Sequence, residues 1–140
     1  MPSILFECRI DGVPTKPMDM KLQLVAIPVT NVDRAIAFYT DQVGFNLDHD
    51  RRVSDDLRFV QLTPPGSACS IVIGEGIPMA APGSVRGVQV VVDDIEAARA
   101  ELVGRGVEVS DFDDQPWSSF VYFSDPDGNG WTVQQTTPRG

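Results

Sequence analysis

Histidine and cysteine are scarce in this chain, which has one histidine and two cysteines among its 140 residues. Metal centres and activated nucleophiles draw heavily on these two residue types. Cys8 and Cys69 stand far apart, so they lack the close pairing typical of zinc sites, and we expect two thiols rather than a disulfide. No arrangement of serine, histidine and acid supports hydrolytic catalysis, and no catalytic residue is assigned.

Basic residues are also few, since 11 Lys and Arg face 20 Asp and Glu for a net charge of −9. A phosphate backbone would be repelled, so nucleic acid is not an expected partner. No apolar run approaches the roughly 20 residues that span a bilayer, and a membrane partner is not expected either. The start, Met1–Glu7, lacks the basic and long apolar regions of a signal peptide, which predicts a cytoplasmic location.

The first twenty residues differ in pattern from the rest of the chain. Ile4, Phe6, Cys8 and Ile10 alternate with other residues, which is typical of a strand. Two prolines and an Asp-Gly turn signal follow before residue 20. We therefore predict an N-terminal strand or arm over residues 1–20, followed by one domain over residues 21–140.

The main signal in the domain is a strand, a helix cap and a helix that occur twice. Val25–Val29 leads through Asn31 or Thr30, the two candidate caps, into one amphipathic helix, and Val88–Val92 leads through Asp94 into another. Asn and Asp favour the cap position because their side chains accept a backbone N–H of the first turn. Gly44 is predicted to end the first helix.

Three further strands are predicted after each helix. The predicted strands are Phe45–Val53, Arg58–Thr63 and Ala68–Ile73 in the first half, and Val107–Ser110, Ser119–Ser124 and Trp131–Gln135 in the second. The pattern predicts an α+β fold of two βαβββ modules, module one over 21–76 and module two over 87–136, joined by a linker over 77–86. Each helix covers one face of its sheet, and paired modules would enclose a cleft between the faces left open.

Four passages carry a family resemblance: Val29–Tyr39, Val43–Phe45, Val92–Ile95 and Asp125–Asn129. Together they resemble the vicinal oxygen chelate superfamily, which includes glyoxalase I, bleomycin-resistance proteins and extradiol dioxygenases. The resemblance implies a paired half-barrel around a central cleft, with modules that pair either within one chain or between the chains of a homodimer.

The metal-ligand positions implied by this resemblance carry no strong ligand. The usual histidine positions fall on Leu24 and Gly87, and the usual glutamate positions fall on Thr132 and on Ser70 or Ile71. Divalent metals in such sites need imidazole or carboxylate donors. We therefore expect no metal and no cofactor, and metal-dependent catalysis is disfavoured. His49, the one histidine, is interpreted as a solvated strand residue.

Alternation along the strands predicts which side chains line the cleft. The candidate ligand-binding residues are Leu24, Phe59, Gln61, Gln89, Trp117, Tyr122, Thr132 and Gln134. Trp117 either stacks on a ligand or anchors its loop, and Tyr122 faces either the ligand or the helix. The glutamine amides both donate and accept, which suits a neutral polar ligand.

The favoured hypothesis is a metal-free protein that binds a small organic molecule, of the sequestration or resistance type. The alternative is a lyase, isomerase or dioxygenase of the same superfamily that acts with a non-standard or absent metal site. A third hypothesis is an interaction module that uses the N-terminal arm for contact.

Overall fold

The computed structural model describes residues 18–137. It contains two four-stranded sheets, each with helical structure packed on one face. The predicted N-terminal strand lies outside these residues. Module one contains β1 (Leu24–Ala26), α1 (Val32–Ala37), a π-helical segment (Phe38–Val43), β2 (Asn46–Ser54), β3 (Leu57–Thr63) and β4 (Ser70–Glu75). Module two contains β5 (Val88–Val92), α2 (Ile95–Gly104), β6 (Asp113–Asp114), β7 (Ser119–Ser124) and β8 (Gly130–Gln135).

The strand order is the same in both modules: β1-β4-β3-β2 in one sheet and β5-β8-β7-β6 in the other. The first and last strands of each module are parallel neighbours, and the remaining pairs are antiparallel. This topology confirms the predicted α+β fold of two βαβββ modules. No helix among residues 18–137 has the length and apolar character needed to cross a membrane.

Both predicted helix caps are present with matching geometry. The side chain of Asn31 accepts the backbone N–H of Arg34 at 3.0 Å, and that of Asp94 accepts the N–H of Ala97 at 3.0 Å. The first helix widens into the π-helical segment and ends at Gly44, whose φ of 92° is left-handed. Glycine fits this position because it lacks the Cβ that makes such a φ costly.

One predicted strand, Val107–Ser110, is wrong. The first of the three strands after α2 is instead the short β6, Asp113–Asp114, which pairs with Ser119 and Phe120. Ser110 does reach β7, since its N–H donates to the carbonyl of Tyr122 at 2.9 Å and its hydroxyl accepts the N–H of Tyr122 at 2.9 Å. In the second of these bonds the acceptor is the Ser110 hydroxyl rather than its backbone carbonyl, so Val107–Ser110 does not pair with β7 as a strand.

The two modules contact each other through their helix-covered faces. The ring of Tyr39, at the start of the π-helical segment, lies 5.7 Å from Trp131, and that of Phe45 lies 5.6 Å from Trp131. Phe38 lies 6.3 Å from Phe123. Trp131 and Phe123 belong to the sheet of module two, so these aromatic contacts merge both halves into one hydrophobic core.

A buried polar network fixes the same junction. The Tyr39 hydroxyl donates to Asp125 at 2.8 Å and accepts the indole N–H of Trp131 at 3.0 Å. Asn129 donates both to Asp125 and to the carbonyl of Pro28, each at 2.8 Å. Burial, with the nearby Asp125 carboxylate, raises the pKa of Tyr39 far above its ordinary value. The phenol therefore stays protonated, and the β7–β8 turn is held against module one.

Candidate functional site

The face of each sheet that its helix leaves uncovered, called here the open face, carries the candidate site. In module two, Val90 and Val133 border the same pocket as Ala98 of α2 and so face the helix. Strand alternation then places their neighbours on the opposite side. Gln89 pairs with Thr132, and Val91 pairs with Gln134, on that open face.

The open face of module two mixes amides with exposed apolar groups. The side-chain amide of Gln89 donates to the side-chain carbonyl of Gln134. Thr132 and Gln134 are half-buried, whereas the side chain of Val91 is 60 % exposed. The glutamine pair keeps further donor and acceptor capacity for a ligand, because each amide group has two donors and two acceptor lone pairs.

Tyr122 also lies on this face, opposite Thr132, and is 40 % exposed. Of the two orientations left open by the sequence, the structure shows the one away from the helix. Its hydroxyl donates to Asp113 at 2.6 Å, and this hydrogen bond raises the pKa of Tyr122 above its ordinary value. Gln115 donates to the other oxygen of Asp113 at 2.7 Å. Tyr122 is therefore a neutral phenol with a fixed hydroxyl at pH 7.

Asp113 and Gln115 were not among the predicted lining residues. The sequence placed the neighbouring strand at Val107–Ser110, which left Asp113 in a loop with no assigned side. The acidic run Asp111–Asp114 beside an aromatic-rich segment was the available signal, but nothing in it identified Tyr122 as the partner.

Trp117 lies in the loop between β6 and β7 with 66 % of its side chain exposed. An aromatic residue that anchored this loop would be buried against the sheet, so the exposure argues against the anchoring role. The loop is held instead by backbone bonds between Gln115 and Ser118, at 2.8 and 3.3 Å. A flat, exposed indole is available for stacking.

The open face of module one carries the other predicted residues. Leu24 pairs with Ser70, and Gln61 pairs with Val72, which places all four on the side of the sheet away from α1. The Gln61 amide donates to the Ser70 hydroxyl at 3.3 Å. A hydroxyl–hydroxyl bond of 2.6 Å joins Ser70 to Thr63, so this face is internally bonded rather than empty of polar contacts.

Phe59 shares this face but has a close neighbour from the linker. It pairs with Gly74, where an added Cβ would lie 2.6 Å from the Cδ1 atom of Ile77. Ile77 therefore covers the sheet beside Phe59, and the absence of a side chain at Gly74 makes this approach possible. His49 is an exposed residue of β2 and pairs with Gln61.

The predicted lining residues thus fall on two separate surfaces. Leu24, Phe59 and Gln61 lie on one open face; Gln89, Tyr122, Thr132 and Gln134 lie on the other, with Trp117 in a loop of module two. In the described part of the chain, no strand of one sheet is hydrogen-bonded to a strand of the other. The part of these residues in ligand binding stays a prediction.

The strand register corrects one of the implied metal positions. Val88 lies opposite Trp131, which sets Thr132 opposite Gln89, two residues after Gly87. The equivalent residue, two after Leu24, is Ala26, and it lies opposite Val72. Val72, not Ser70 or Ile71, therefore corresponds to Thr132.

The four corresponding residues do not fit a metal ion. Leu24, Val72 and Gly87 have no donor atom in their side chains, and Thr132 offers only a neutral hydroxyl. Residues 18–137 contain no group of three or more His, Cys, Asp or Glu placed to hold a metal ion. We derive no chemical step through a metal.

The architecture defines an α+β protein of two βαβββ modules, each with a sheet face that its own helix does not cover. The family model of the Glyoxalase/Bleomycin resistance protein/Dioxygenase superfamily matches residues 21–133, and the chain belongs to this superfamily.

Solved structures agree with this assignment. TnmS3, an antibiotic binding protein from Streptomyces sp. CB03234, is 35 % identical, with a TM-score of 0.78 over 89 % of this chain and 100 % of that one. A glyoxalase/bleomycin resistance protein from the same organism is 36 % identical, with a TM-score of 0.73 over 82 % and 100 %. A superfamily member from Sphaerobacter thermophilus is 28 % identical, with a TM-score of 0.73 over 85 % and 99 %.

Proposed function

We propose that this protein binds a small organic molecule on its open faces and acts by sequestration, as in antibiotic resistance, without a metal ion. The observation that carries the proposal is the open face of module two, where amides and a fixed phenol lie among exposed apolar groups. The similarity to TnmS3, an antibiotic binding protein, supports the same class of ligand.

The proposed binding cleft is completed by a second copy of the chain. Within one chain the modules meet through their helix-covered faces, which leaves both open faces without a partner module. β1 and β5 are end strands of their sheets. Leu22, just before β1, is 71 % exposed, and Val91, within β5, is 60 % exposed. A homodimer that brings one open face against the other would bury these groups and enclose the ligand.

The lining favours a neutral, planar ligand that carries hydrogen-bonding groups. Trp117 and Tyr122 supply aromatic surface, and Gln89 and Gln134 supply donors and acceptors. The net charge of −9 makes an anionic ligand unfavourable.

The binding proposal is tested by titrating the protein, in a calorimeter, with a panel of neutral, planar aromatic antibiotics. The variants Gln89→Ala and Gln134→Ala each remove amide hydrogen bonds, which should weaken binding by about tenfold. Gln42→Ala is the matched control, because this amide donates to the Arg105 carbonyl at the module junction, at 3.3 Å, and not on an open face. Absence of binding across the panel, or equal loss in all three variants, contradicts the proposal.

The proposed absence of a bound metal ion is tested separately. Elemental analysis of the purified protein after dialysis against a chelator should find iron, manganese, nickel and zinc far below one ion per chain. A stoichiometric metal that survives this treatment would overturn the metal-free proposal and favour the enzyme alternative.

We also propose a cytoplasmic location. With two cysteines in 140 residues, the chain lacks the dense disulfide framework typical of small secreted domains. In the cytoplasm, the protein would lower the free concentration of a toxic ligand by binding it.

A further inference from the structure

A cavity lies on the helix-covered side of the module-two sheet, away from the open faces. It has a volume of about 150 Å³ and lies between α2, the helix-covered face of the sheet and the end of the π-helical segment. Val43 and Phe45 border it from module one, and Ala98, Val90 and Trp131 are among its walls in module two. The cavity is therefore a feature of the junction between modules.

This space exists because α2 and β5, which face each other across it, carry small side chains there. Ala98 is the inward residue of the middle turn of α2, between the buried Ile95 and Leu102. On β5, the facing positions carry Val90 and Val92, which are only half-buried. Ala98 is half-buried as well and Glu101 is exposed, so the space is an apolar pocket with one side open to solvent rather than a sealed void.

The walls define the chemistry of an occupant. Apart from Glu101, all the bordering residues are aliphatic or aromatic, and the carboxylate of Glu101 is bonded to Arg105 at 2.8 Å. Water gains little in such a space because it needs several polar partners. A compact apolar molecule that displaces water from these walls gains from the burial of apolar surface, and about 150 Å³ is room enough for one the size of benzene.

We propose that this cavity is a second ligand site, for compact apolar molecules about the size of a substituted benzene. The site uses the contact of Val43 and Phe45 with module two, so an occupant touches both halves of the chain. It differs in chemistry from the open faces, where amides and hydroxyls dominate, and it does not require a second copy of the chain.

Heavy-atom quenching tests the site with bromobenzene as the probe. Trp117→Phe leaves Trp131 as the single tryptophan, because the chain has two. Bromobenzene in the cavity lies against the Trp131 ring, so we expect saturable quenching of its fluorescence. Ala98→Leu in the same background fills the cavity and should weaken the quenching by about tenfold or more.

Ala100→Leu is the matched control, since Ala100 is an exposed residue of the same helix and the substitution is identical. Its quenching curve should follow that of the Trp117→Phe parent. If Ala98→Leu does not fold, as judged by circular dichroism, Val90→Ile adds a single methyl group to the cavity wall and should weaken the quenching by a smaller factor.

Quenching that does not saturate, or that the filling variant leaves unchanged, overturns the second site. Gln134→Ala separates this result from the function proposed above, because that glutamine lies on the open face. Quenching retained in Gln134→Ala supports an independent site, and quenching lost there shows that bromobenzene binds on the open face instead.

Discussion

Tyr39 connects the two modules through a single phenol group. Its hydroxyl both donates to Asp125 and accepts from Trp131, inside the core. Tyr39→Phe leaves a buried acceptor and a buried donor without this partner, so we expect a loss of about 1–3 kcal/mol in the free energy of unfolding. Urea unfolding followed by tryptophan fluorescence measures the change. Tyr122→Phe, on the exposed face, is the control and should lose less.

The same residue predicts a pH dependence. Burial raises the pKa of Tyr39 in the folded state, whereas the unfolded chain ionises near its ordinary pKa of about 10. Above about pH 10, the folded state therefore holds one proton more at Tyr39 than the unfolded chain does. The contribution of Tyr39 to stability is complete below about pH 10 and declines as the pH rises above it. The expected slope is about 1.4 kcal/mol per pH unit.

Urea unfolding of the parent and of Tyr39→Phe from pH 9 to pH 11 isolates this contribution. The difference in unfolding free energy between the two proteins should shrink above about pH 10, because only the parent carries the phenol. A difference that stays constant over this range would show that Tyr39 ionises equally in both states.

At the scale of elements, Gly44 controls the end of the first helical segment. Its φ of 92° is left-handed, and an added Cβ would lie 3.0 Å from the guanidinium of Arg105. Gly44→Ala should therefore cost about 1–2 kcal/mol of stability, mainly through backbone strain. Gly104→Ala is the matched control: it ends α2 with open space around it and should be neutral or stabilise by about 0.5–1 kcal/mol. Thermal unfolding of both variants measures the contrast, and equal midpoints would contradict it.

Local signals explain why most elements were predictable from the sequence. Asn31, Asp94 and Gly44 act through bonds and dihedral angles within a few residues, and their predictions are confirmed. The π-helical segment was not predicted, because it keeps the apolar face of an ordinary helix. The short β6 was missed because its partners, Ser119 and Phe120, are set by tertiary pairing rather than by its own Asp-Asp sequence.

The candidate site was predictable only in part, for a related reason. Alternation of side chains gives the face of each strand, so Gln89, Thr132 and Gln134 were placed on the open side correctly. The hydrogen bond between Tyr122 and Asp113 joins separate strands, and no periodicity within either strand reports it. Which faces of the two modules contact each other depends on aromatic contacts between residues far apart in the chain. No local sequence pattern predicts those contacts.

The meeting of the modules leads to a prediction for the whole molecule. If a second copy covers the open faces, the native mass should be twice that of one chain, by light scattering with size exclusion. Val91→Glu places a charge on the end strand β5 and should yield a monomer, because a buried unpaired charge disfavours association. Val53→Glu is the matched control, with an exposure of 62 % against 60 % for Val91, but on the β2–β3 hairpin.

Because Val91 is already exposed within one chain, Val91→Glu should keep the circular dichroism spectrum of the parent. A parent protein that is monomeric at all concentrations, or a Val91→Glu protein that stays dimeric, would reject the shared cleft and confine the ligand to the open faces of a single chain.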